Sequence, residues 1–242
     1  MTLAVFSPSC PPLKPFITLA QARTPDGADL TLHGHDGQFY LRVNRQPLMG
    51  TNASESEKVL AQLACNRLQG QREKSVLIGG LGFGFTLRRV LELVGKDAQV
   101  HVAELLPEVV AWNREFLAEV NGRLLDDPRV KIFMEDVFKL IARAAAAPYD
   151  AIMLDVDNGP IAMVQDGNAR LYQDAGLAAI TQALKPGGIV AFWSASNDRA
   201  FAKRLERAGF SVEVVAAKVH ERAKRSTHTI FVAKRRAVAA RK

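Results

Sequence analysis

Cysteine is scarce. Among 242 residues only Cys10 and Cys65 carry a thiol. Two distant thiols offer neither a disulfide framework nor a metal-type spacing, so the expectation is a reduced, cytoplasmic protein. Aromatic residues make up 7% of the chain, with three tyrosines and two tryptophans. No apolar run reaches the ~18 residues that a membrane-spanning helix needs. The opening MTLAVFSPSCPPLKPF has an apolar patch but no basic segment before it, so no secretory signal is expected. No internal repeat and no low-complexity linker interrupts the sequence. The five histidines do not fall at the spacing of a metal triad. No metal site is expected.

What remains is ordinary soluble material, 48% hydrophobic and 24% charged. The net charge of +7 is unevenly placed. Residues 199–242 hold 13 Lys/Arg against 3 Asp/Glu, whereas the rest of the chain carries 19 against 22. A basic end can mark nucleic-acid binding. Here the basic segment has no interleaved aromatics to stack bases, with Phe231 alone between 218 and 242. It reads as a solvated surface, with neither a nucleic acid nor a membrane as partner.

Two parts are expected, a small β domain over residues 1–50 and a larger domain over 51–242. FITLAQART, ADLTLHGH and QFYLRVNRQPLM alternate in the manner of strands and are separated by PDG and HDG. Asp-Gly between alternating runs marks hairpins, which predicts an antiparallel meander. His33 and His35 fall on its exposed positions. In the next stretch, Ser54 and Glu57 have capping-box spacing before a helical stripe of Val59, Leu60, Leu63 and Leu68. Strands then alternate with helices. Strands are expected over 75–79, 99–104, 130–134, 150–155, 188–194, 210–216 and 227–233, with helices near 85–94, 107–120, 136–146, 170–184 and 198–208. Repeated βαβ units imply a mostly parallel, Rossmann-like sheet. The last two strands are too close for a helical crossover and predict a C-terminal antiparallel hairpin. The fold class is therefore α/β.

VLIGGLGFGFTLRRV carries the first functional signal. Gly80, Gly82 and Gly84 follow a strand and open a helix, where open α/β sheets bind ligands. The spacing G-x-G-x-G places Phe85 where a dinucleotide fingerprint needs its last glycine. Leu81, Phe83 and Phe85 between the glycines suggest a ligand without a pyrophosphate. Glu104 stands at the end of the next strand, 20 residues after Gly84. An acid there accepts both ribose hydroxyls or serves as a helix N-terminal carboxylate. Asp136, at the following strand–helix junction, serves as an N-cap or accepts from an adenine amino group. Asp155, Asp157 and Asn158 close a buried-type strand before Gly-Pro. Two carboxylates there attract a cationic substrate or take its proton. Trp112 and Trp193 read as packing residues, Trp193 at the crevice edge.

In this order, from about residue 20 to 233, the elements resemble the spermidine synthase family, whose core is an S-adenosylmethionine-dependent methyltransferase fold. LYQDAGLAAITQALKPGGIVAFWSAS is similar to that family's later helix, LKPGG turn and strand. The resemblance implies S-adenosylmethionine, or its decarboxylated form, as donor, without a metal. It implies a donor-binding set of Gly80, Gly82, Phe83, Gly84, Glu104, Leu105, Asp136, Val137 and Asp155, and a catalytic turn of Asp155, Asp157 and Asn158. It further implies a small-molecule acceptor, possibly an amine, and a possible homodimer. Three departures separate the chain from the family pattern. Phe83 stands where the family's glycine loop carries an amine-holding aspartate. Asn158 replaces the second aspartate of the catalytic turn. SESEKVLAQ replaces the family's Tyr-His/Gln-Glu helix, although Glu57 offers a compensating acid. Methyl transfer is accordingly expected ahead of aminopropyl transfer to a polyamine, with an RNA methyltransferase as a further alternative.

Overall fold

The protein is described by a computed structural model over residues 15–24, 27–68, 73–156 and 166–236. Asp157 and Asn158 lie outside these residues. The chain divides into two compact units, Met1–Thr51 and Asn52–Lys242.

The first unit is a four-stranded antiparallel sheet in the order β1-β2-β3-β4: Ile17–Arg23, Asp29–His35, Gln38–Val43 and Gln46–Gly50. Asp36 and Gly37 turn β2 into β3 with φ of 50° and 74°, the two positive values a tight hairpin turn requires. QFYLRVNRQPLM, expected as one strand, is two. Asn44 and Arg45 take φ of 48° and 66° and reverse the chain between β3 and β4. Asn-Arg lacks the glycine that usually announces such a turn. Part of the cost is offset where Asn44 Oδ1 accepts from the Asp29 N–H at 2.9 Å. The two histidines are half-buried rather than exposed. His33 bonds Thr31 and Thr18, and His35 stacks on Phe16 at 4.2 Å.

The second unit is a seven-stranded sheet in the order β10-β11-β9-β8-β5-β6-β7. Its strands are β5 (Ser75–Gly79), β6 (Gln99–Ala103), β7 (Val130–Phe133), β8 (Tyr149–Leu154), β9 (Leu184–Ser194), β10 (Phe210–Ala217) and β11 (His228–Arg235). β9, β8, β5, β6 and β7 run parallel, and β10 and β11 form the expected antiparallel hairpin against β9. The helices are α1 (Glu55–Cys65), α2 (Phe85–Leu93), α3 (Pro107–Glu115), α4 (Ala118–Asn121), α5 (Val137–Arg143), α6 (Asp174–Ala183) and α7 (Arg199–Arg207). The helix expected over 107–120 is thus broken into α3 and α4. The LKPGG turn is absorbed into β9, with Gly187 at φ 76° inside the strand.

Alternation of side chains along the strands covers both sheet faces. Leu77, Ile152, Leu154, Val190, Phe192 and Phe231 share one buried cluster with α5, α6 and α7. Phe201 of α7 meets Phe192 and Phe231 edge-on at 5.0 and 5.2 Å. Helix α1 packs against β8, β9 and α2. The parallel strands therefore stay buried in the middle, and their C-terminal ends open toward the connecting loops, the usual ligand position in such sheets. Trp112 is buried as a packing residue.

Candidate functional site

The glycine loop joins β5 to α2. Gly80, Gly82 and Gly84 all have positive φ, 88°, 51° and 81°. At Gly80 the requirement is also steric. A β-carbon there would lie 2.3 Å from the Asp155 carbonyl oxygen, so the loop and the end of β8 can approach only without a side chain. The apolar residues between the glycines turn inward. Leu81, Phe83 and Phe85 are all buried, and the Phe83 and Phe85 rings meet edge-on.

The loop is tied down by polar side chains from other elements. Glu104, at the end of β6, is buried, and its Oε2 accepts from the Leu81 N–H at 3.0 Å. Its Oε1 accepts from the N–H groups of Leu105 and Leu106 at 2.7 and 2.9 Å. Burial pushes this carboxyl above the ordinary range, against the opposing pull of the backbone N–H groups. Glu104 is therefore both an acid at a strand end and a staple between loop and strand. Asn113 of α3 donates to the Gly82 carbonyl, and Asn121 of α4 donates to the Phe83 carbonyl. Sequence reading missed both asparagines. A buried amide on the apolar face shared by Val109 and Trp112 was the available signal.

Asp136 caps α5, its Oδ1 accepting from the Phe138 N–H at 2.7 Å. Its Oδ2 pairs with Arg170, whose guanidinium lies 4.5 Å above the Phe138 ring. Capping and ion pairing thus occupy this carboxylate, and Val137 after it is buried in the sheet's core cluster.

Asp155 follows β8 directly. Its N–H donates to the Gly79 carbonyl at 2.9 Å, and its Oδ2 accepts from the Thr86 hydroxyl at 3.0 Å. Opposite it stands Glu57, on the first turn of α1. The capping-box reading fails here. Ser54 makes no side-chain cap bond, and Glu57 instead accepts from the Ser56 hydroxyl at 2.7 Å. Turned inward, Glu57 has its carboxyl pushed up to about 7 by burial and by the Asp155 charge, and burial lifts Asp155 to about 6. Among the described residues no lysine or arginine ion-pairs with either acid. Lys58 pairs with Glu55 instead, at 3.4 Å. The arrangement can hold a proton between two acids or take a cationic nitrogen. Among the described residues no group of three or more His, Cys, Asp or Glu is placed to hold a metal. In the same residues no helix is long and apolar enough to cross a membrane.

Residues 56–205, more than half of the chain, match the spermine/spermidine synthase domain. The polyamine aminopropyltransferase of Mycobacterium tuberculosis H37Rv is 34% identical over 119 residues, 48% of this chain and 22% of the relative. Putrescine N-methyltransferase 1 of Nicotiana tabacum is 33% identical over 117 residues, covering 48% and 29%. The polyamine aminopropyltransferase of Aeropyrum pernix is 30% identical over 146 residues, covering 57% and 44%. The matched segment thus spans less than half the length of each of these relatives. The crystal structure of spermidine synthase from Thermotoga maritima superposes with a TM-score of 0.71 at 17% identity, covering 90% of this chain and 72% of that one. That likeness establishes the Rossmann-like methyltransferase fold. With the domain match it leads to one conclusion: the chain belongs to the spermine/spermidine synthase domain family.

Proposed function

We propose that this protein transfers a methyl group from S-adenosylmethionine to a small amine. The observation that carries the reading is the facing pair of acids, Asp155 and Glu57, beside the glycine loop. Two carboxylates without a cation among the described residues suit a substrate that brings a positive charge and must lose a proton. Relatives named as polyamine aminopropyltransferase and putrescine N-methyltransferase support an amine acceptor.

The donor set fits an adenosyl nucleoside. Glu104 and Asp136 supply acceptors at the ends of neighbouring strands, and the glycine loop supplies close backbone approach. Leu105 and Val137 follow these acids on the same rim. Glu104 already receives three backbone N–H groups, so its ribose contact shares or replaces one of them. Asp136 meets the adenine amino group while pairing with Arg170. The donor brings its own electrophile, a carbon on a cationic sulfur that departs as a neutral thioether. The protein's part is to align the acceptor nitrogen and manage its proton. Asp155, held by Thr86, takes that proton as the new C–N bond forms. Glu57 keeps the proton affinity of Asp155 near neutrality. Asp157 and Asn158, by their place in the chain, belong to the acceptor side of the same turn.

Aminopropyl transfer from decarboxylated S-adenosylmethionine is the second reading, favoured by the mycobacterial and archaeal relatives. Phe83 weighs against it. An aminopropyl ammonium facing a phenyl ring in place of a carboxylate loses a charge-assisted hydrogen bond, about 1.5–3 kcal/mol. Incubation of the protein with each donor and a panel of amines, followed by mass analysis, separates the readings. A gain of one methyl supports the first. An aminopropyl gain on putrescine at an ordinary enzymatic rate overturns it.

A further inference from the structure

The glycine loop has three residues at positive φ and little intrinsic preference for one shape. Its shape is imposed from outside. Asn113 spends both amide hydrogens, one on the Gly82 carbonyl at 2.8 Å and one on the Val109 carbonyl of its own helix at 2.9 Å. Asn121 donates to the next carbonyl along, that of Phe83. Both asparagines are more than nine-tenths buried. Gly84 sits against the same two amides. A β-carbon there would lie 3.2 Å from Asn113 Oδ1 and 3.6 Å from Asn121 Nδ2.

The arrangement is costly. Asn121 Oδ1 is buried and has no hydrogen-bond partner among the described residues. Apolar side chains at 113 and 121 would avoid burying two amides, one of them half-satisfied. What the amides supply is direction. They draw two consecutive loop carbonyls toward α3 and α4, while Glu104 holds the Leu81 N–H from the other side.

We infer that Asn113 and Asn121 are positioning residues of the donor site, fixing the glycine loop and the place of Phe83 before the donor binds. The inference rests on the donor reading given above. No contact with the donor is required of either asparagine. Their effect passes through the Gly82 and Phe83 carbonyls.

The test compares Asn113→Ser, Asn121→Leu and Asn121→Asp with the parent in the full chain. Asn121→Leu removes the donor together with the orphaned oxygen. Asn121→Asp keeps the shape but sets an acceptor against the Phe83 carbonyl, and it serves if the leucine variant does not fold. Three readouts are taken: calorimetric affinity for S-adenosylhomocysteine, amide hydrogen exchange at residues 82–86, and thermal midpoint. The expected result for either Asn121 variant is about 3- to 10-fold weaker binding, the scale of one lost hydrogen bond. Exchange should be faster at 82–86 and unchanged in β8. The thermal midpoint of Asn121→Leu should stay at or above the parent's, which a purely structural role does not allow alongside weaker binding. Asn113→Ser, which keeps a donor, should lose less than the Asn121 variants. Binding within twofold of the parent in folded variants overturns the inference, whether or not exchange rises. Failure of the parent itself to bind the nucleoside overturns the donor reading instead, and unchanged exchange at 82–86 would then show that the asparagines do not hold the loop.

Discussion

Strand β8 carries an aspartate near each end, and the two are treated in opposite ways. Asp150, near the N-terminal end, is buried and fully partnered. Its Oδ2 accepts from the Ser75 N–H at 2.9 Å and from Lys185 Nζ at 2.8 Å, and Lys74 Nζ lies 3.9 Å from Oδ1. Asp155, just beyond the C-terminal end, has one hydroxyl donor and a second carboxylate for company. Asp150 ties the start of β8 to β5 and β9 and leaves its charge balanced. Asp155 leaves a surplus of negative charge at the rim where the parallel strands end. Two acids on one strand therefore differ in what their loss should do, the first in stability and the second in chemistry.

The largest expected effect is on turnover. Asp155→Asn keeps the shape and the Thr86 contact but cannot take a proton. If Asp155 is the base, turnover with the correct amine should fall ~10²–10⁴-fold. S-adenosylhomocysteine affinity and thermal midpoint should be retained. Loss of less than tenfold in steady-state assays would remove Asp155 from the proton-accepting role.

Asp150→Ala should do the reverse. It leaves the buried Lys74 ammonium without that partner, and breaking a buried pair from one side costs about 3–5 kcal/mol. For a chain of this size, each kcal/mol lowers the midpoint by about 2–4 °C. Activity per folded molecule should be unchanged. A midpoint within 2 °C of the parent, on this scale, would show that Asp150 does not carry this share of stability.

The next effect is on pH dependence. Glu57 and Asp155 are raised from ordinary values of 4.5 and 3.8 to about 7 and about 6. The folded protein then holds protons that the unfolded chain releases, so these groups make stability fall as pH rises from about 4 to about 7. Above that window the loss is complete. Glu57→Gln removes one acid and the repulsion it imposes. It should flatten the stability curve across this window and shift the acid limb of the rate profile to lower pH. Thermal melts and initial rates between pH 4 and 9 measure both. An unmoved limb would mean that Glu57 does not tune Asp155.

Much of this contrast was legible before the structure, though unevenly. Glycines after a strand, an acid at each following strand end and a buried-type strand ending in Asp155 are local patterns, and the sheet assembled them in the expected order. Glu57 was legible as an acid of the first helical turn, but its spacing from Ser54 pointed to a cap. Whether a carboxylate reaches back to its own helix or inward to a strand 98 residues later is decided by packing. The same holds for Asn113 and Asn121, whose partners in the loop lie 31 and 38 residues away. Arg170 gave no local sign that it would pair with Asp136. The Asn44–Arg45 turn lacked glycine, and so two strands read as one.

The smallest effect concerns the two lysines around Asp150, which differ as the two aspartates do. The Lys74 side chain is 4% exposed and that of Lys185 is 40% exposed. Burial lowers the proton affinity of Lys74, partly restored by the Asp150 charge. Lys185 approaches more closely, at 2.8 Å against 3.9 Å, so distance alone would rank it first. Solvent reverses that ranking. An ammonium in contact with water gains little from pairing, because the bond replaces hydration and is screened by salt, and such pairs contribute about 0–1 kcal/mol. Lys185→Met should therefore lower the midpoint by no more than about 2–4 °C, with the difference shrinking in 1 M salt. Asp150 keeps the Ser75 N–H and Lys74 in that variant. A loss as large as that of Asp150→Ala would show that the half-exposed lysine, and not the buried one, balances the strand's inner aspartate.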